Sequence, residues 1–160
     1  MTAGHNAESN KTSQTFKEKT IVHDFGTTEL KKAPKRIVNP RINLYGEILD
    51  PLDITPVGAT TGQADSQEFS TLFKKQYKDA KVVSVGWQGN PDLDKIAELK
   101  PDLILMTGEQ EDLYDELSEI APTVGYQINT DENWDYHETS LKVAEIFDKR
   151  DEMKKDLDRL

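Results

Sequence analysis

Apolar positions along this chain repeat at two spacings. The run "DLILM" (residues 102–106) is short and continuously apolar, the pattern of a strand covered on both faces. The runs "RIVN", "ITPVGAT", "KVVSVG" and "TVGYQI" are similarly short and rich in β-branched residues, and predict four further strands. Between them lie stripes at helical spacing: Leu44, Ile48 and Leu52; Phe69, Leu72, Phe73 and Tyr77; Leu93, Ile96 and Ala97; Leu113, Leu117 and Ile120. Val143, Ile146, Phe147, Met153, Leu157 and Leu160 mark one side of a long helix expected over residues 134–160.

Local punctuation sets the boundaries. Pro51 is expected to end or kink the first helix, Pro101 to stop the third and Pro122 the fourth. Ser66 is the expected cap of the second helix. In "NPDLDKIAELKPDLILMTG" (residues 90–108), Asn90 reads as an N-cap and Pro91 as the first helical position, with Asp92 and Asp94 near the positive end of the dipole. "TIVHDF" and "TTEL" flank Gly26 and predict a small hairpin. Residues 1–18 are polar, lack an apolar period and read as a disordered tether. A hairpin followed by alternating strands and helices makes an α/β fold: a Rossmann-like parallel sheet flanked by helices. In such sheets ligands sit outside the carboxyl ends of the strands.

Charge narrows the function. The net charge of −10 and the lack of a Lys/Arg cluster on an aromatic-rich segment argue against nucleic acid. With no cysteine there is no disulfide, thiolate metal site or cysteine nucleophile. Walker, dinucleotide and nucleophile-elbow motifs are absent. His5, His23 and His137 lack metal-ligand spacing, so direct metal binding is not expected. The strand exits carry Arg41 and Asn43; Thr60, Thr61 and Gly62; Gly86, Trp87, Gln88 and Gly89; Thr107, Gly108 and Glu109; and Tyr126. Small, aromatic and hydrogen-bonding residues with few proton carriers form a binding inventory, not a catalytic one. Each has a plainer reading as well: Trp87 covering the sheet end, Arg41 an ordinary surface charge, Tyr126 core, Thr60 and Thr107 turn or cap residues.

"APKRIV" after "DFGTTEL", then "ITPVGAT", "VGWQGNPDLDKIAELKPDLILMTG", "LSEIAPTV" and "NWDYHETSLKVAEIF" together resemble the N-terminal lobe of the iron–siderophore and cobalamin substrate-binding proteins of ABC importers. The resemblance runs from about Lys19 to about Phe147, and "NPDLDKIAELKPDLIL" is its most specific piece. It implies one lobe of a two-lobed periplasmic-binding-protein fold: residues 19–133 as the lobe, and residues 134–160 as the long helix leading to a second lobe not included in this chain. It also implies that Arg41, Asn43, Thr60, Thr61, Trp87, Gln88, Thr107, Gly108 and Tyr126 face a ferric siderophore, and that Glu111 faces an ABC permease. Iron would arrive only inside its chelator, with no cofactor of the protein's own. The parent protein would sit lipid-anchored on the outer face of the cytoplasmic membrane, or in the periplasm. The sequence departs from the family pattern at Pro40, at Leu52-Asp53 and at "IFDKR", which bears on the first loop and the last helix.

Arg41 alone is a well-placed cation on this lobe, which favours a hydroxamate or mixed chelator over a triply anionic catecholate. Two other readings stand beside this one: a small Rossmann- or flavodoxin-like enzyme or signalling domain, and a fragment with no ligand of its own. The apolar stripe of the last helix, lacking a partner, predicts fraying or a dimer.

Overall fold

A computed structural model describes residues 17–40, 42–61, 68–69, 73–127 and 135–159. Ser66, Arg41, Gly62, Leu72 and Trp134 lie outside the described residues, as do residues 1–16 of the expected tether.

Strands β1 (Lys19–His23) and β2 (Gly26–Leu30) form the expected antiparallel hairpin, closed by Asp24 and Phe25. The chain continues through β3 (Ile37–Asn39), α1 (Ile42–Leu49), a 3-10 turn (Asp50–Leu52) and β4 (Gly58–Thr61). Then come α2 (Lys74–Asp79), β5 (Val83–Trp87), β6 (Asn90–Pro91) and α3 (Leu93–Glu98). After β7 (Leu103–Thr107) a second 3-10 turn (Gly108–Leu113) leads into α4 (Tyr114–Ile120), β8 (Thr123–Tyr126), α5 (Tyr136–Ile146) and α6 (Arg150–Asp158).

The main sheet has the order β6-β5-β4-β3-β7-β8, parallel throughout except for the antiparallel edge pair β5/β6. Strand order reverses at β3/β7. Successive strands march outward from β3 to β5, and the chain then crosses back to lay β7 on the other side of β3. The crevice at such a reversal is where doubly wound sheets hold ligands.

Alternation along β7 shows why its sequence is apolar throughout. Leu103 and Leu105 join a core with Ile37, Ile48, Leu49, Val124, Val143 and Met153, under α1, α5 and α6. Ile104 and Met106 join the opposite core with Val38, Val85, Ile96 and Leu117, under α3 and α4. A strand buried on both faces has no position left for a polar residue.

The amino-terminal edge of the sheet is clamped by Asp102. Its carboxylate accepts hydrogen bonds from the Lys35 and Arg36 backbone N–H groups at 3.0 and 2.8 Å. The Asp102 N–H donates to Arg36 O at 2.9 Å. The Arg36 guanidinium donates through Nε and Nη2 to Leu99 O at 3.0 and 2.6 Å. "APKR" and "LKPD" thus fasten β3 to β7 below the core.

Three expectations change. Asn90 and Pro91 do not open the third helix. They pair with Trp87 and Gly86 as a short edge strand, where a residue without an N–H costs no ladder bond. The cap falls to Asp92, whose side chain accepts from Lys95 N. The long last helix is two helices: the chain breaks after Ile146, where Asp148 adopts φ 56° and Lys149 N turns back to Ala144 O. Lys19 secures the break, donating to Glu145 O at 2.7 Å and pairing with Asp148 at 2.5 Å. Finally, the apolar stripe of α6 is not exposed: Met153 and Leu157 are buried against Leu52 and Ile146 in this chain's own core. The surface on which a dimer was expected is therefore already covered; Leu160 lies outside the described residues.

Candidate functional site

Five parallel strands deliver their exits to one edge, and the turns that follow do not stay on their own strands. β5 ends in the turn Trp87-Gln88-Gly89-Asn90, closed by the Trp87↔Asn90 pair. Gly86 sits at φ 93°, a conformation that favours glycine. A side chain at Gly89 would meet the Trp87 indole at 2.6 Å, so the ring lies directly on glycine backbone. Trp87 is 37% exposed, the largest solvent-facing side chain among the described exit residues. It is a flat aromatic surface with one face supported.

The Gln88 backbone is bracketed. Its N–H donates to Thr61 O at 3.1 Å, and its carbonyl accepts from Gln110 Nε2 at 2.6 Å. Gln110, in the 3-10 turn after β7, also donates Nε2 to Pro40 O at 3.4 Å. Its Oε1 accepts from Thr107 N at 3.0 Å and Thr107 Oγ1 at 3.2 Å. Thr107 Oγ1 in turn accepts from Glu109 N, completing a capping box. One buried amide therefore joins the exits of β3, β5 and β7, although β5 and β7 are separated in the sheet by two strands. Sequence reading missed Gln110. The pattern Thr107-x-x-Gln110 was its only signal, and that pattern indicates a helix start, not a link between loops.

The other expected residues take varied places. Thr60 and Thr61 are fully buried; Thr60 Oγ1 has no hydrogen-bond partner, while Thr61 Oγ1 donates to Gly86 O at 3.4 Å. Gln88 Oε1 is likewise buried without a partner. Thr107 is buried, and Gly108 lies beneath the Gln127 side chain. Tyr126 is buried in the core under α5, with Lys142 Nζ 6.0 Å from its ring centroid. Burial, with Asp24 and Glu145 nearby, pushes its phenol up to about 12. Asn43 falls on α1, and its side chain is outside the described residues, as is all of Arg41.

At the β8 end of the edge, a hollow of about 390 Å³ is lined by Asp24, Phe25, Glu111, Asp112, Tyr114, Asp115 and Gln127. Gln127 Nε2 donates to Glu111 Oε1 at 3.3 Å. Four carboxylates make this hollow hostile to an anionic chelate and suited to a basic surface. His23 lies below it, docking the hairpin on β8, and His137 is exposed on α5. Among the described residues, no group of side chains is arranged to hold a metal ion, and no helix is long and apolar enough to cross a membrane.

A buried, mostly parallel sheet whose strand order reverses at its centre defines a doubly wound α/β domain with its strand exits gathered at one edge. The chain belongs to the periplasmic binding protein family, whose model matches residues 47–160. It is 34% identical over 158 residues to the petrobactin-binding protein YclQ of Bacillus subtilis, a match covering 96% of this chain and 48% of that protein. The solved structure of YclQ superposes with a TM-score of 0.76 at 29% identity, covering 90% of this chain and 50% of that one. Staphylococcus aureus SirA, solved with staphyloferrin B, gives a TM-score of 0.74 at 32% identity, covering 88% of this chain and 46% of that one. The chain thus spans about half the length of the relatives it matches. YclQ is named for binding petrobactin, SirA was solved holding staphyloferrin B, and the family is one of binding proteins.

Proposed function

We propose that this chain is the N-terminal lobe of a siderophore-binding protein that receives a ferric chelate and hands it to an ABC importer. The observation that carries the reading is Trp87: an indole backed by Gly89 and exposed at the carboxyl edge of the sheet, at the exit of β5. A single lobe offers half a cleft, so a shallow aromatic platform is the feature to expect, and binding should be far weaker than in a two-lobed protein. Thr61 backs the platform from within, paired with Trp87 and bonded to Gly86 O, and Arg41 and Asn43 are proposed to contact the ligand as well. Residues 134–160 are proposed to lead towards a second lobe. Iron is held by the chelator, and the protein adds no ligand to it.

Glu111, with Asp112 and Asp115 beside it, is proposed as the face that meets basic residues of the permease. The acidic hollow suits that role better than it suits an anionic ligand. The proposed location of the parent protein is the outer face of the cytoplasmic membrane or the periplasm.

The test uses the two indoles of the chain separately. In Trp134→Phe, only Trp87 emits. Titration with ferric citrate, a ferric hydroxamate and a ferric catecholate should give saturable quenching by at least one of them, and none by the iron-free chelator. In Trp87→Phe, the remaining Trp134 emission should not follow that saturation curve. No saturable quenching across the panel, in this chain and in a two-lobed version carrying the same edge, would overturn the reading.

A further inference from the structure

Gln110 is 1% exposed, and its amide uses its whole hydrogen-bonding capacity. Two acceptor positions on Oε1 face Thr107 N and Thr107 Oγ1, and two donors on Nε2 face Gln88 O and Pro40 O. The orientation is not arbitrary. A backbone N–H can only donate and a carbonyl can only accept, so the oxygen must face Thr107 and the nitrogen must face the two carbonyls. Capping the 3-10 turn needs only the oxygen side. The nitrogen side reaches carbonyls 22 and 70 residues away in sequence, on two other strand exits. Gln88 is the residue following Trp87, and its N–H is already held by Thr61 O. With the Gln110 bond on its carbonyl, the peptide planes on both sides of Gln88 are fixed.

We propose that Gln110 is a positioning residue: its buried amide clamps the Trp87-Gln88-Gly89 turn and the Pro40 carbonyl to the β7 exit, so that the Trp87 platform is set before ligand arrives. This rests on the reading of that edge as the ligand-facing one. Holding a binding surface in its bound geometry lowers the ordering cost of association. The residue touches backbone and not the chelate, so it acts through the turn.

Gln110→Glu separates the clamp from the cap. A carboxylate still accepts from Thr107 N, but it places an acceptor against Gln88 O and Pro40 O. Gln110→Met removes both halves. The expected result in the full chain is that the Gln88 and Gly89 amides exchange roughly tenfold faster in both variants, while Val85 and Leu105 amides keep their protection. In the Trp134→Phe background, Trp87 anisotropy should fall in both. A residue that only caps would be rescued by Glu, so a turn as well protected in Gln110→Glu as in the wild type overturns the clamp. Uniform loss of protection across the sheet overturns it too. If either variant fails to fold, the wild type decides: the Gln110 side-chain NH₂ protons should be slowly exchanging, and free-amide exchange there defeats the proposal. The binding arm is separate. Where ferric citrate or another panel chelate quenches Trp87, Gln110→Glu should weaken it by about tenfold. A loosened turn combined with a titration that is silent both in this chain and in the two-lobed version supports the clamp and removes the binding reading.

Discussion

Burying a phenol makes its anion expensive, and nearby carboxylates add to the cost. Tyr126 and Tyr77 are both pushed up to about 12 in this way, Tyr77 with Asp50 nearby and a partly offsetting hydrogen bond with Asn39. A folded-state value above the ordinary 10 means that the stabilisation is complete below pH 10. It is lost as pH rises towards 12, because the unfolded chain releases those protons first. Titration of the tyrosine ring carbons by NMR should show Tyr126 and Tyr77 ionising near pH 12 or with unfolding; a midpoint near 10 in the folded chain would contradict their burial. At this scale the sequence was legible in part. Trp87 between glycines was visible as an aromatic at a strand exit, and its exposure fits that reading. Thr60, Thr107 and Tyr126 were visible as exit residues, but whether an exit residue points outward or back into the core depends on the turn after it. Gln110 was hidden because its partners Gln88 and Pro40 are distant in sequence.

The hairpin and the crossover segment carry the element-scale arguments. His23 Nδ1 accepts from the Phe25 and Gly125 N–H groups, each at 3.3 Å, and Nε2 lies 2.9 Å from Thr28 Oγ1. Thr28 Oγ1 donates onward to Thr123 O, so Nε2 carries the proton and Nδ1 is bare. Burial lowers the His23 value against an opposing pull from Asp24, with the Tyr114 ring packed edge-on against it. A lowered value makes this contribution complete above pH 6.5 and draws it down as pH falls from 6.5 towards the folded-state value, since protonation must break two backbone hydrogen bonds. Urea unfolding at pH 7 and pH 5 should show that loss, and His23→Gln should flatten it. The Asp102 clamp makes a second prediction. Asp102→Ala strands the Lys35 and Arg36 N–H groups and should cost about 1–3 kcal/mol in urea unfolding, with Trp87 quenching unchanged. Strand and helix identities followed well from periodicity. The boundary errors had local causes: Pro91 satisfies an edge strand as readily as a helix start, and Asp148 can adopt a left-handed turn that periodicity does not register.

For the whole molecule, cores on both faces of the sheet are built from this chain's own side chains. α6 folds back to bury Met153 and Leu157 beside Leu52. Removing residues 149–160 should therefore cost several kcal/mol, with each of those two side chains contributing about 1.5–3. A midpoint shift in urea measures it, and a truncated chain as stable as the full one would show the packing to be idle. Sedimentation should return a monomer, because the stripe that would have joined two copies is spent inside one. Architecture was legible here because alternating buried strands and amphipathic helices permit few arrangements. The break in the last helix was not, and with it went the expectation of a free apolar face.

The Asp102 clamp has one more consequence. The clamp residues of "APKR" and "LKPD" sit at the foot of the sheet, while Trp87 sits at its crown, with the hydrophobic interior between. Exchanging the crown turns, such as 87–90 and 107–111, between relatives that carry different iron chelators should transplant preference without loosening the foot.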